Sequence, residues 1–94
     1  MKLRWSRAAR DDLVSLREFI GTENPRAARE IAERILAAVA QLADHPASGR
    51  PGRVVETREL VVAETPLLIA YRVRDGAIQL LRVLHGARRW PRRL

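Results

Sequence analysis

Residues 66–91, PLLIAYRVRDGAIQLLRVLHGARRWP, are the stretch that decides the fold. Two apolar runs flank the pair Asp75-Gly76. An Asp-Gly pair between runs rich in β-forming residues indicates a two-residue hairpin turn, because both central positions of a type I′ turn need a positive φ. The cross-strand pairs predicted from this turn are Val73 with Ile78, Tyr71 with Leu80, Ile69 with Arg82, and Leu67 with Leu84.

One face of this hairpin is almost wholly apolar and needs a cover, since a lone hairpin is only marginally stable in water. The residues expected on this covered face are Leu67, Ile69, Tyr71, Val73, Ile78, Leu80 and Leu84. Alternation places Arg72, Gln79 and His85 on the opposite face, which is expected to stay partly open. The partly open face is therefore a candidate binding surface.

The chain before the hairpin predicts one strand and two helices. Residues 2–6 alternate between apolar and polar, which indicates a half-buried strand that joins the sheet. Ser6 is an acceptable N-cap for a first helix that closes at Gly21. The pair Asn24-Pro25 is typical of a helix start, and a second helix is expected to run to about Ala43.

After a loop rich in glycine and proline, residues 53–56 and 58–63 are β-like. The predicted fold class is α+β. An N-terminal strand and an antiparallel two-helix hairpin precede a three-stranded antiparallel sheet (order βααβββ), with the helices packed on one face of the sheet. Residues 1–94 are expected to form a single domain.

The net charge of +7 is concentrated at the two ends of the sequence. Arginines and acids cancel in residues 5–43 and again in residues 44–81. The excess cations are Lys2, Arg4, Arg82, Arg88, Arg89, Arg92 and Arg93. The acid-free basic tail, about residues 86–94, suits an anionic partner such as a phosphate backbone or an acidic protein segment.

Composition makes several classes of function improbable. The chain has no cysteine, so neither disulfides nor thiolate metal sites are available. Its two histidines, His45 and His85, lack the spacing of metal ligands, and neither a metal nor a cofactor is expected. No apolar run approaches the ~18 residues of a membrane span. We therefore expect a cytoplasmic protein that does not interact with membranes.

Most known catalytic motifs are missing, because the sequence has no Ser/His/Asp set, no Cys/His set and no glycine-rich phosphate loop. His85 as acid or base, together with several arginines, is the minimum for metal-free RNA cleavage. The alternative for His85 is a strand-end residue that hydrogen-bonds to the backbone. Trp90 also has two possible roles: it either anchors the tail onto the sheet or is an exposed contact residue.

The strand Ala70-Tyr71-Arg72-Val73 and the run LHGARRWP at residues 84–91, in the order βααβββ, resemble the RelE/ParE superfamily of toxins. The ending Leu-His-Gly-x-Arg is similar to the ParE-like branch, which includes plasmid stabilisation proteins. The resemblance implies the toxin of a type II toxin–antitoxin module. It also implies a cognate antitoxin whose C-terminal segment wraps the toxin in a hetero-oligomer.

Two functions follow from the resemblance. The ParE-like branch implies inhibition of DNA gyrase by direct binding, without catalytic residues. The residues expected to bind the target or the antitoxin are Arg72, Arg82, His85, Arg88, Arg89 and Trp90. The alternative is a ribosome-dependent, metal-independent mRNA endonuclease like RelE, with His85, Arg88 and Arg58 as its catalytic candidates.

The ribonuclease alternative is weakened because Leu68 stands where that branch has an arginine, and we favour the gyrase-binding inhibitor. A third option is a nucleic-acid-binding module that uses the arginines alone. The sequence provides neither an aromatic stacking platform nor an evident recognition helix for such a module.

Overall fold

The hairpin around Asp75-Gly76 forms the centre of the sheet in the computed structural model, which describes residues 1–86, 91 and 94. Strands β4 (Leu67–Arg74) and β5 (Ala77–His85) of this hairpin pair antiparallel. Asp75 has a φ of 53° and Gly76 a φ of 70°. Both central positions adopt the positive φ that a type I′ turn requires. The predicted turn is confirmed.

Five further elements precede the hairpin: β1 (Lys2–Trp5), α1 (Arg7–Glu23), α2 (Pro25–Asp44), β2 (Arg50–Pro51) and β3 (Arg58–Val61). The sheet order is β1-β5-β4-β3-β2, with β1 parallel to β5 and the other pairs antiparallel. The α+β class is confirmed. The prediction of a three-stranded antiparallel sheet is wrong, because the described chain forms a five-stranded mixed sheet.

Strand β1 makes the sheet mixed. The helical pair returns the chain so that β1 lies beside the last strand, with Leu3 opposite Ile78 and Trp5 opposite Leu80. This parallel pairing buries Leu3 and Trp5 partly against the main core. Apolar burial of these two side chains therefore explains why a four-residue strand is stable at the edge.

The strand predicted at residues 53–56 is wrong, because that segment folds into a turn. Thr57 donates both its backbone N–H and its hydroxyl to the carbonyl oxygen of Val54, at 3.2 and 2.6 Å. Gly52 donates its N–H to the Thr57 carbonyl at 2.7 Å. These local bonds satisfy the backbone inside the loop, so the short strand β2 forms earlier, at Arg50–Pro51.

The predicted helix caps are mostly confirmed. The Ser6 hydroxyl accepts a hydrogen bond from the Ala9 N–H at 3.0 Å, and the Asn24 side chain accepts one from Ala27 at 3.1 Å. The predicted end at Gly21 is wrong, since α1 continues to Glu23. Gly21 lies inside the helix and faces Ala28 of α2, so it marks a point where the two helices lie close together.

A β-bulge in β5 changes the predicted register. Tyr71 pairs with Leu80 as expected, but Ala70 pairs with Arg82, so Leu81 is the extra residue. The remaining pairs are Ile69 with Val83, Leu68 with Leu84, and Leu67 with His85. The predicted pairs of Ile69 with Arg82 and of Leu67 with Leu84 are therefore wrong.

The bulge exchanges the two faces of β5 beyond Leu81. Val83, at 3% exposure, occupies the core position that was expected for Leu84. His85 pairs with the core residue Leu67 and lies on the helix-facing side. The expectation that His85 shares the open face with Arg72 and Gln79 is wrong, because one inserted residue reverses the side-chain alternation.

The helices cover one face of the sheet, as predicted. The buried core consists of Ala9, Ile35, Ala38, Val39, Leu42, Val62, Leu67, Ile69, Tyr71, Ile78, Leu80 and Val83. Tyr71 is fully buried, and its hydroxyl donates to the Pro46 carbonyl at 2.7 Å and accepts the Gly49 N–H at 2.9 Å. In the described part of the chain, no helix is long and apolar enough to cross a membrane.

Candidate functional site

Asp12 on α1 fixes the bulge in β5. Its carboxylate accepts hydrogen bonds from Arg82 Nε at 2.6 Å and Arg82 Nη2 at 2.9 Å. The same carboxylate accepts the Val83 N–H at 2.9 Å, and the Ser6 hydroxyl donates to the Leu81 carbonyl at 3.0 Å. Two residues of the N-terminal segment thus satisfy the backbone groups that the bulge displaces from the ladder.

Arg82 was predicted to bind the target or the antitoxin, and the structure places it in an internal ion pair. Its side chain is 27% exposed and that of Asp12 is 16% exposed. The hydrogen bond that Arg82 donates to Asp12 raises the pKa of the Arg82 guanidinium, and the negative charge of Asp12 adds to this, although burial acts in the opposite direction. Arg82 therefore remains charged, and its charge is paired within the fold.

An apolar groove lies between the helices and the end of the hairpin. It has a volume of about 650 Å³, and its apolar lining includes Leu16, Phe19, Ile20, Ile31, Leu67 and Val83. Phe19 is 74% exposed, the highest exposure of any large apolar side chain on the two helices. An aromatic ring left in water beside a groove of this size is typical of a site that a partner covers.

His85 lies in the wall of this groove, whereas Arg58 lies elsewhere on the sheet. His85 is opposite Leu67 and Arg58 is opposite Tyr71, so their positions are offset by four residues along β4. That separation corresponds to roughly 13 Å along the strand. Arg58 donates to the Gly49 carbonyl at 2.7 Å, which ties it to the loop after α2. The two described ribonuclease candidates are therefore not brought together.

Arg72, another predicted binding residue, lies on the sheet face that turns away from the helices. Its Nε donates to Gln79 Oε1 at 2.6 Å across the hairpin. Leu68 and Ala70 share this face and are only 5% and 0% exposed. The face predicted to be open is thus polar around Arg72 and already buried around Leu68.

Sequence reasoning missed Glu59, a carboxylate on this same face with 3% exposure. It accepts the Arg53 N–H at 2.8 Å, Arg53 Nε at 3.3 Å and Arg50 Nη2 at 3.4 Å. Burial raises the pKa of the Glu59 carboxyl, but the backbone bond from Arg53, the charge of Arg53 and the guanidinium bonds together hold the pKa below its usual value. The sequence did contain an indication of this residue, because Glu59 is an acid inside a predicted strand and points to the face opposite that of the apolar Leu60.

Three predicted site residues, Arg88, Arg89 and Trp90, lie outside the described residues. The same holds for most of the predicted basic tail. Among residues 1–86, 91 and 94, no group of three or more His, Cys, Asp or Glu side chains is placed to hold a metal ion.

Comparison with known proteins gives matches over nearly the whole chain. The family model described as "ParE toxin of type II toxin-antitoxin system, parDE" matches residues 3–90. The Sinorhizobium fredii protein named "Putative toxin Y4kP" is 43% identical over 91 residues, which cover 96% of this chain and 93% of that protein. The protein named "Toxin RelE2" of Caulobacter vibrioides is 39% identical over 84 residues, covering 89% of this chain and 93% of that one.

A solved structure has the same fold. The chain is similar to one from a structure described as the chromosomal ParDE TA system from P. aeruginosa, with a TM-score of 0.79 and 29% sequence identity. The match covers 88% of this chain and 92% of the other. The resemblance carried by the Leu-His-Gly-x-Arg ending and the element order is confirmed, and the chain belongs to the ParE toxin family of type II toxin–antitoxin systems.

Proposed function

We propose that this toxin acts by binding DNA gyrase and inhibiting it, rather than by cleaving RNA. The observation that supports this most strongly is the separation of His85 from Arg58 along β4. Metal-free RNA cleavage needs an acid or base and a cationic group converging on one phosphate, each contributing ~10²-fold or more. An inhibitor that binds a protein needs only a presented surface.

Leu68 supports the same conclusion. The resemblance to the ribonuclease branch puts an arginine at this position, and here the residue is aliphatic and 5% exposed. A buried leucine contributes to packing and offers neither a charge nor a hydrogen bond to a phosphate. The described residues therefore contain only part of the cationic set that the ribonuclease alternative needs.

Purified toxin added to a gyrase supercoiling assay is expected to block supercoiling of relaxed plasmid. The same preparation should leave a reporter mRNA uncut when translating ribosomes are present. Cleavage of ribosome-bound mRNA together with undisturbed supercoiling would show that the ribonuclease alternative is correct.

We further propose that the cognate antitoxin neutralises the toxin by placing apolar anchors in the groove beside Phe19. The groove wall is mainly apolar, and the charges of Asp12 and Arg82 on its rim already pair with each other. The two sheet edges offer less. Strand β1 covers β5 only as far as Leu80, and beyond that point Asp12 occupies the Val83 N–H. At the other edge, β2 is two residues long and contains a proline that lacks a backbone donor.

Replacing Phe19 with Asp tests the groove. The variant should bind the cognate antitoxin at least ~10-fold more weakly, because an apolar anchor contact is replaced by a buried charge. Val14→Asp is the matched control, since Val14 is also exposed on α1, at 53%, but does not line the groove. Isothermal titration calorimetry measures both. Equal losses for the two variants, or none for Phe19→Asp, would place the antitoxin elsewhere.

A further inference from the structure

The sheet face that turns away from the helices is here called the outer face. It carries arginines from both edge strands of the sheet, β1 and β2. Strand β1 points Leu3 and Trp5 toward the core, so Arg4 points outward, and Arg4 is in register with Gln79, which pairs with Arg72. Ala70 lies two residues before Arg72 on β4 and therefore on the same face. Ala70 pairs with Glu59, which in turn pairs with Arg50. The register alone therefore places Arg4, Arg72 and Arg50 on one surface.

Three further cations border this surface. Arg53 reaches the outer face through Glu59, while Lys2 and Arg74 both lie in register with Ala77. Two acids accompany these six cations: Glu59 is buried, and Glu56 pairs with Arg74 at 3.4 Å. Among these residues the cations outnumber the acids by four.

The helical layer shows no such excess. Residues 7–44 contain six arginines and seven acids. The described molecule is thus polarised, with a nearly neutral helical layer on one side and a cationic sheet face on the other. Such separation of charge attracts an anionic partner to one side and orients it there.

The chemistry of the outer face favours phosphate groups over a protein surface. The centre of a protein interface is usually more apolar than its rim, but the apolar residues of this face, Leu68 and Ala70, are already buried. Arg72 is half-buried and donates Nε to Gln79, a bond that fixes the plane of its guanidinium group. Arg50 is 59% exposed although it touches Glu59, so the buried carboxylate holds the guanidinium in place without covering it. Guanidinium groups held in this way suit phosphate oxygens.

The spacing of the cations favours a duplex over a single strand. Arg4 and Arg72 are two strands apart, roughly 10 Å, and Arg50 lies roughly 12 Å from Arg72. These intervals are comparable with the ~12 Å width of the major groove between two phosphate backbones. The described aromatic residues, Trp5, Phe19 and Tyr71, lie in the core or the groove, so none provides a stacking platform for unpaired bases on this face.

We propose that the outer face binds the phosphate backbone of duplex DNA without reading its sequence. This inference does not depend on gyrase as the target, because it concerns DNA itself.

The test compares two triple variants of the full chain that change the net charge equally. Arg4→Gln, Arg50→Gln and Arg72→Gln remove cations from the outer face, and Arg10→Gln, Arg17→Gln and Arg29→Gln remove exposed cations from the helical layer. The probe is a fluorescently labelled duplex of ~20 base pairs and arbitrary sequence, followed by anisotropy from ~50 to ~300 mM salt. Thermal melting checks that both variants remain folded.

The outer-face variant should bind duplex DNA at least ~10-fold more weakly at low salt. A plot of the logarithm of its binding constant against the logarithm of the salt concentration should be less steep, by about 0.9 for each phosphate that is no longer neutralised. The helical-layer variant should stay close to the parent protein. Equal losses in the two variants, or unchanged binding by the outer-face variant, would overturn the proposal. Tighter binding to a single strand of the same length than to the duplex would also overturn it.

Discussion

At the scale of single residues, two buried polar groups connect the sheet to its loops, and each can be tested alone. The Tyr71 hydroxyl bridges the Pro46 carbonyl and the Gly49 N–H. Gly49 has no room for a side chain, since a Cβ atom would lie 2.6 Å from the Tyr71 ring. This close approach holds the loop after α2 against the sheet.

Replacing Tyr71 with Phe is expected to destabilise the protein by about 1–3 kcal/mol, because it leaves a buried N–H and a carbonyl without their partner. Urea denaturation measures the change in the free energy of unfolding. Hydrogen exchange at the Gly49 amide should accelerate more than exchange at the amides of α2. Unchanged protection of Gly49 would show that the hydroxyl does not hold the loop.

The lowered pKa of Glu59 predicts a pH dependence with a definite sign. Because its folded pKa lies below the unfolded value, the carboxylate stabilises the fold above the unfolded value of about 4.3. That contribution is lost as the pH falls through the folded pKa. Glu59→Gln should therefore be less stable than the parent protein at pH 7, and the difference should shrink on acidification below about pH 4.

Thermal melting of the Glu59→Gln variant and its parent between pH 7 and pH 3 measures this difference. Glu33→Gln, which removes an exposed carboxylate from α2, is the control for general loss of negative charge. A stability difference that stays constant over the whole pH range would contradict the assigned role of the Glu59 carboxylate.

At the scale of elements, the bulge in β5 separates what the sequence predicts from what it does not. The turn at Asp75-Gly76 and the helix caps at Ser6 and Asn24 depend on residues close in sequence, and all three were predicted. The bulge depends on Asp12, which is 71 positions from Val83. No local pattern carries that information, so the predicted register failed beyond Leu80 and with it the predicted face of His85.

Asp12→Asn should destabilise the protein by about 1–3 kcal/mol, because it leaves the partly buried Arg82 guanidinium without its counter-ion. Asp11→Asn is the matched control, since it removes the same charge from the neighbouring exposed position. Urea denaturation compares the two variants. Equal stability of Asp12→Asn and Asp11→Asn would show that the bonds of Asp12 to Arg82 and Val83 do not stabilise the bulge.

The candidate site was predicted only in part for the same physical reason. Arg72 lies on the outer face as expected, but the structure adds Arg4, Arg50 and Arg53, which come from distant segments of the chain. In the sequence, the arginines of residues 44–81 are cancelled by nearby acids. Folding separates these charges, since Glu64 pairs with Arg34 on α2 while Arg50 and Arg72 turn to the outer face.

At the scale of the whole molecule, the fold presents two surfaces that differ in chemistry. The groove beside Phe19 is apolar and suits the anchors of a protein partner. The outer face is cationic and suits phosphates. Our proposals assign the antitoxin to the groove and phosphate groups to the outer face, and neither proposal assigns a reacting group to His85.

The most direct test of the central claim is a time course after induction of the toxin in growing bacteria. Plasmid topoisomers are separated on chloroquine gels, and incorporation of a labelled amino acid is followed in the same culture. Inhibition of gyrase by binding predicts loss of negative supercoiling, or linear DNA, before protein synthesis declines. Protein synthesis that stops first, with cleaved mRNA and unchanged topoisomers, would contradict the account.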